Sequence, residues 1–284
     1  MKKIVSVIAM LLVVAGVYIF DLVEEPVQNS ASNLSSEAIV SFLDVGQGDS
    51  TLLQTDDTTI LIDTGRHDSN LTMEHLADLG VEKLDLLILT HPHADHIGNA
   101  DKVVETYHPE EVWIDGNETT SRTFERLIDA LIDTDTAVSE PKAGEQHDIG
   151  DFHIEVLHPS DLSGNLNNDS ISTRITFGNV RFVFTGDAEV KSEKEMLARN
   201  LNLQADIYQV GHHGSSTSNS KAFVQAISPE VAIYSAGESN SYGHPHREIL
   251  QLFDELNITL YGTDKNGTVT VTTDGNTFDV QTER

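Results

Sequence analysis

Residues 90–99 read THPHADHIGN and place His91, His93, Asp95 and His96 within six positions. Imidazole nitrogen and carboxylate oxygen are the donors that Zn²⁺, Mn²⁺ and Fe²⁺ take from a protein without thiolates. The chain has no cysteine, so a transition-metal site must be built from His, Asp, Glu, Asn or water. In an irregular loop after a strand, alternate side chains can point to one side. His91 and His93 could then bind one cation while Asp95 and His96 turn toward a second. A single histidine here would read as a solvated loop residue, but the H-x-H-x-D-H run reads as half of a metal site.

The remaining donors lie further along the chain. FVFTGDAE puts Asp187 just beyond an apolar strand, where an unpaired carboxylate would be costly and a metal-bridging one would not. YQVGHHGSS repeats the arrangement, with a strand running into His212 and His213. Three strand ends that each finish in ligand-type residues imply one shared sheet edge. Asp63 in ILIDTG ends a fourth strand. It can either ligate or hydrogen-bond the loop and orient the ligands from behind.

The elements that must position these groups follow from hydrophobic periodicity. Strands are expected around residues 38–45, 50–54 and 58–63, then 84–90, whose LDLLILT is apolar throughout and delivers the chain into His91. Helices are expected over 70–79, 99–107 and 120–132, with a strand at 111–114. In the second half, strands around 146–157 precede a pair joined at Gly178-Asn179. A helix (190–200), a strand (206–210), a helix (220–227), a strand (231–235) and a helix from Pro245 to about 256 come next. GTVTVTTDGNTFDVQTE closes the chain as a hairpin. The expected class is α/β, one domain of two packed mixed sheets flanked by helices over residues 37–284.

With these blocks in place, the chain resembles the metallo-β-lactamase superfamily, whose αββα four-layer sandwich carries one or two metals at one edge. More narrowly, it resembles the exported hydrolase domain of ComEC-type competence proteins. The match consists of FLDVGQGDS, LIDTG, THPHADHIGN, NNDSIS, FTGDAE, VGHHGS and YGHPH, in family order between residues 38 and 261. Carried over, the resemblance implies that His91 and His93 bind a first metal, Asp95 and His96 a second, and Asp187 bridges. One of His212 and His213 would complete the second site, and spacing does not say which. The superfamily's third histidine for the first metal is missing, since counting back from Asp187 lands at Asn168-Asp169. Asn168, Asp169 or water would have to fill that position, and an oxygen-richer first site would favour Mn²⁺ over Zn²⁺.

Two cations about 3.5–4 Å apart can hold a hydroxide and neutralise charge on a phosphoryl oxygen. The expected activity is therefore hydrolysis of a phosphodiester, with DNA a candidate, and Asp95, Asp187 and His244 as the catalytic groups. His244 in YGHPH could donate to phosphate or cap the loop before Pro245, and Ser215 could bind phosphate or cap a helix. His246 is expected to be structural. Asp49, in GQGDS, should buttress the site, with its glycines allowing close backbone approach. His67, His75, His108, His147, His153 and His158 read as surface or packing residues. A phosphorylcholine or teichoic-acid esterase is the rival enzyme, although one Trp and 6% aromatics offer little for a cationic headgroup. A β-lactamase or lactonase would lack GQGDS and YGHPH, and a non-catalytic binding protein would have no need of the whole ligand set.

The net charge is −29, and all but one of those charges fall after residue 36. Such a surface stays soluble in salt or alkaline surroundings and has no general basic face for nucleic acid. At the amino end, two lysines precede the apolar run from Ile4 to Phe20. That is the charge order of an export signal or a single-helix anchor over residues 1–22, and a polar linker follows over 23–36. The expected location is extracellular or on the outer face of the cell membrane.

Overall fold

A computed structural model describes residues 37–284; the expected signal or anchor and the linker lie outside the described residues. The first sheet contains β1 (Ala38–Phe42), β2 (Thr51–Gln54), β3 (Thr59–Ile62), β4 (Leu86–Ile88), β5 (Glu111–Trp113), β6 (Ala137–Ser139), β14 (Val269–Thr273) and β15 (Phe278–Thr282). Their order is β15-β14-β1-β2-β3-β4-β5-β6. The second sheet runs β13 (Thr259–Gly262), β12 (Val231–Tyr234), β11 (Ile207–Gln209), β10 (Val180–Phe184), β9 (Ser172–Phe177), β8 (Phe152–His158) and β7 (Gln146–Ile149). Both are mixed. β3 to β6 are parallel in the first, and β10 to β13 in the second.

Side-chain alternation explains the layering. Ile60 and Ile62 of β3, Leu86 and Ile88 of β4, and Phe182 and Phe184 of β10 all enter one core between the sheets. The intervening Leu61 and Leu87 face outward into a second core under α1 (Leu71–Asp78), α2 (Ala100–Tyr107) and α3 (Arg122–Asp133). On the other side, Val183, Tyr208 and Ala232 meet α4 (Val190–Ala198), α5 (Lys221–Ile227) and α6 (Arg247–Glu255). The result is the αββα sandwich, with a short α7 (Thr263–Asn266) before β14. Ser121 caps α3 by accepting from the Phe124 amide at 3.2 Å.

Among the described elements, β6, β13 and α7 escape the sequence pattern, as does the single 3-10 turn at Gly211–Gly214. β6 is a three-residue edge strand with exposed or half-buried residues, and it exists through its pairing with β5. Among the described residues, no helix is long and apolar enough to cross a membrane.

Candidate metal centre

The functional side chains follow the carboxyl ends of the parallel strands, where open α/β sheets gather their ligands. Asp63 directly follows β3, and Asp187 lies three residues past β10. β4 leads through Leu89 and Thr90 into His91, and β11 through Val210 and Gly211 into His212. The loop after β1 docks on the histidine loop, with the Asp49 amide donating to the Asp95 carbonyl at 3.2 Å. Gly48 makes this approach possible. Its φ is +139°, and a Cβ there would lie 2.5 Å from the Asp95 carbonyl oxygen.

Asp187 stands at the middle of the cluster, and its two oxygens divide the ligands. Oδ2 lies 3.6 Å from His91 Nε2 and 3.4 Å from His212 Nε2, and His93 Nδ1 is 2.9 Å from His91 Nε2. Oδ1 lies 3.3 Å from His96 Nε2 and 3.7 Å from His213 Nε2, which is in turn 3.5 Å from Asp95 Oδ2. The two adjacent histidines of VGHHGS thus face opposite oxygens of one carboxylate. His213 joins the half containing Asp95 and His96, while His212 faces the half containing His91 and His93.

The far nitrogens of His96 and His213 are held. His96 Nδ1 is 2.7 Å from Asp63 Oδ2, and His213 Nδ1 donates to the Ser235 carbonyl at 3.0 Å. Asp63 also accepts from the Thr90 amide (2.8 Å) and hydroxyl (2.7 Å), so both of its oxygens are committed and it orients His96 from behind. Such outer partners fix the tautomer and aim Nε2 at a cation. We expect Asp63→Asn, which keeps the shape and tolerates the positive φ found there, to lower metal affinity about 10- to 100-fold. Chelator competition would measure this, and unchanged affinity would remove Asp63 from that role.

The geometry of the histidine pair depends on an uncommon backbone. His212 (φ 53°, ψ 47°) and His213 (φ 55°, ψ 23°) are both left-handed, and Gly214 follows at φ +80°. Non-glycine residues held in this region cost about 1–3 kcal/mol each. The turn is held in place by buried Asn219, whose Oδ1 accepts from the Gly211 amide at 2.9 Å and whose Nδ2 donates to the Gly211 carbonyl at 2.9 Å.

Four carboxylates (Asp49, Asp63, Asp95 and Asp187) surround this point and create a field that demands positive charge. Burial alone would lower the histidines, yet Asp187 and Asp63 hold His96 well above its usual range, and Asp187 and Asp49 push His213 up to about 9. Burial lowers His91, His93 and His212, leaving them neutral imidazoles with a lone pair available. His96 Nε2, His213 Nε2, Asp187 Oδ1 and Asp49 Oδ1 are buried with no hydrogen-bond partner. Orphaned atoms of this kind are rare in folded proteins, and here they converge. Two groups satisfy metal-ligand spacing: Asp49, His96, Asp187 and His213, and His91, His93 and Asp187. The cluster fits a dinuclear site.

Several expected roles change. Asn168 and Asp169 do not supply the missing ligand. The Asn168 amide donates to Glu189 and accepts from Ser192, while Asp169 accepts from the Ser163 and Gly164 amides and from Asn117. His212 Nε2, 3.4 Å from Asp187 Oδ2, faces the first half, that of His91 and His93, instead. Asp49 keeps one buried oxygen without a partner, 3.9 Å from His213 Nδ1 and within metal-ligand spacing of the second half. Ser215 pairs with the Thr217 hydroxyl and amide inside the turn and does not line the cleft. His246 Nδ1 accepts from the Ser216 amide at 2.9 Å and is structural. The six outlying histidines belong to neither ligand group.

A cleft of about 340 Å³ opens over the cluster. His244 lines it, together with three residues whose roles went unread in the sequence: Gln47, Asn167 and Tyr242. Each lies inside or beside a quoted block, but a neutral side chain carries no signal of the direction it faces.

A family model for the metallo-beta-lactamase superfamily matches residues 43–238. The chain is 34% identical over 256 residues to ComE operon protein 3 of Bacillus subtilis (strain 168), covering 83% of this chain and 33% of that protein. It is 31% identical to Recombination protein 2 of Haemophilus influenzae, covering 82% of this chain and 28% of that one. The chain thus spans about a third of the length of these relatives. Among solved structures it is similar to CmlA, a diiron beta-hydroxylase from Streptomyces venezuelae. That likeness has a TM-score of 0.58 at 17% identity, covers 83% of this chain and 54% of that one, and concerns the fold alone.

Proposed function

The chain belongs to the metallo-beta-lactamase superfamily, and on that premise we propose that it is an exported phosphodiesterase, a nuclease of DNA, that works with two divalent cations, Zn²⁺ or Mn²⁺. The observation that carries this reading is the division of the histidine nitrogens between the two oxygens of Asp187, with the buried, unpartnered atoms gathered on the Oδ1 side. The name of the Haemophilus relative, a recombination protein, supports DNA as the substrate.

His91, His93, His212 and Asp187 would hold one cation, and Asp95, His96, His213 and Asp187 the other, with Asp49 beside the second. When bound, such a pair supplies a hydroxide nucleophile at neutral pH and neutralises charge on the phosphoryl group. The protein's own part is positioning. Asp63 and the Ser235 carbonyl keep the imidazoles aimed, and the strand ends of both sheets keep the donors converged. Burial and the neighbouring His213, His212 and His246 push His244 down to about 4. It is therefore a neutral imidazole at pH 7, with a buried and unpartnered Nδ1. It can hydrogen-bond a phosphoryl oxygen without adding charge.

None of the described residues lining the cleft is lysine or arginine. A chain of net charge −29 would thus meet a phosphodiester with its cations rather than with a basic surface. A phosphorylcholine esterase would want an aromatic cage, and Tyr242 is the one Tyr, Trp or Phe among the described lining residues.

The test is a substrate panel of DNA, bis-p-nitrophenyl phosphate, a phosphorylcholine ester and nitrocefin, run with Mn²⁺ or Zn²⁺ beside elemental analysis. We expect about two metal ions per chain and phosphodiester turnover that a chelator abolishes, with nitrocefin intact. Opening of the β-lactam without phosphodiester cleavage would overturn the proposal, as would metal binding with no turnover at all.

A further inference from the structure

The cleft over the metal cluster has a second wall that the cluster does not explain. Tyr242 lines it and is 57% exposed, with its ring stacked along His244 at 5.7 Å and an interplanar angle of 20°. An exposed tyrosine at the lip of a polar cleft is unusual in a chain with so few aromatics, and burial cannot account for its position.

Gln47 lines the same cleft. Its Oε1 accepts from the Gly237 amide at 3.3 Å, which fixes the orientation of the side-chain amide and leaves Nε2 as the free donor. That Nε2 is buried and has no partner. Asn167 Oδ1, also in the cleft lining, is a buried acceptor beside His93 with no well-aligned donor. Beside its histidines, the cleft therefore combines a planar aromatic surface, a neutral donor and a neutral acceptor, with no lysine or arginine among the described lining residues.

These features match one class of group. A polyanionic backbone would select lysine or arginine, and an alkyl chain would select an apolar wall. A planar heterocycle bearing both acceptors and donors uses a ring to stack on and amides to pair with. We propose that Tyr242, with Gln47 and Asn167, forms a subsite for an unpaired nucleobase next to the phosphodiester being cleaved. The inference rests on the phosphodiester reading and adds to it a preference for single-stranded or frayed ends over intact duplex, whose bases are already stacked.

The test joins binding to turnover. The metal-loaded protein is titrated into a trinucleotide carrying 2-aminopurine, whose emission falls when it stacks. Cleavage is then measured on short single strands with a normal base or a tetrahydrofuran abasic residue beside the scissile phosphate. We expect quenching that Tyr242→Ala abolishes and Tyr242→Phe retains. KM should rise about 10- to 100-fold in Tyr242→Ala on the normal strand. The abasic strand should cost the wild type a similar factor, and the two changes together should cost no more than either alone. Additive losses, or equal KM for the alanine and phenylalanine variants, would overturn the subsite while leaving the phosphodiester reading intact. Tyr242-dependent quenching without cleavage of either strand would support the subsite and overturn the phosphodiester reading. Absence of both quenching and cleavage would overturn both.

Discussion

Asp187→Asn is expected to reduce hydrolysis on the order of a thousandfold or more and to leave at most one tightly held metal ion per chain. The magnitude follows from position. Loss of a residue that only orients a ligand costs about 10- to 100-fold in metal affinity or activity, and Asp187 faces both halves of the cluster directly. Oδ2 lies 3.6 Å and 3.4 Å from His91 and His212, and Oδ1 lies 3.3 Å and 3.7 Å from His96 and His213. An amide keeps one oxygen and replaces the other with a nitrogen that has no lone pair for a cation, so one half loses its shared donor outright. Removing the charge also weakens the field that holds positive charge at this point, because Asp187 acts on all of His91, His96 and His213. Asparagine has the same shape, and the backbone amide can still donate to Ser170 Oγ at 3.2 Å, so the variant should fold. Elemental analysis and steady-state kinetics on one preparation check both parts. Two retained ions with turnover within tenfold of wild type would defeat the assignment of Asp187 as the shared ligand.

The sequence makes plain which groups meet, and leaves open how they face one another. Donor residues at the ends of apolar strands imply that carboxyl ends gather at one place, because parallel strands in one sheet present those ends together. The expected single sheet edge is in fact two, since β3 and β4 belong to the first sheet and β10 and β11 to the second. That argument reaches Asp63, His91, Asp187 and the histidine pair. It does not reach the split between His212 and His213. Adjacent residues in a regular strand would point to opposite faces, whereas here two consecutive left-handed residues carry the rings to the two oxygens of one carboxylate. Left-handed backbone at histidine is a tertiary choice, enforced by Asn219 and the buried Tyr208 hydroxyl that pairs with it at 2.9 Å. Counting residues back from Asp187 likewise points to Asn168 and Asp169, since spacing along the chain does not show that His212 faces the half of His91 and His93. The Ser235 carbonyl that aims His213 is backbone and has no residue type to signal it. Edge strands such as β6 pose the same difficulty in the fold, because pairing partners create them rather than their own pattern.

The split between the two histidines has a consequence for metal choice. The half around Asp187 Oδ2 is rich in nitrogen, with His91, His93 and His212, while the half around Oδ1 sets two histidines among Asp49, Asp95 and Asp187. Imidazole suits Zn²⁺, and carboxylate oxygen suits the harder Mn²⁺. After loading with equimolar Zn²⁺ and Mn²⁺, His212→Asn is expected to lose mainly zinc and His213→Asn mainly manganese, each toward one ion per chain. Asparagine is chosen because it accepts the positive φ at both positions, so the substitution tests the ligand and not the turn. Its shorter side chain stops short of where the imidazole Nε2 reaches. Turnover should fall on the order of a hundredfold in each variant, because charge neutralisation on the phosphoryl group then rests on one cation. Elemental analysis distinguishes the two variants, and the manganese electron paramagnetic resonance signal gives an independent reading of the Oδ1 half. If both variants lose the same ion, the two histidines do not serve separate halves. If His212→Asn keeps both ions and full turnover, the first half is completed by something other than His212, and the case for a nitrogen-rich first site goes with it.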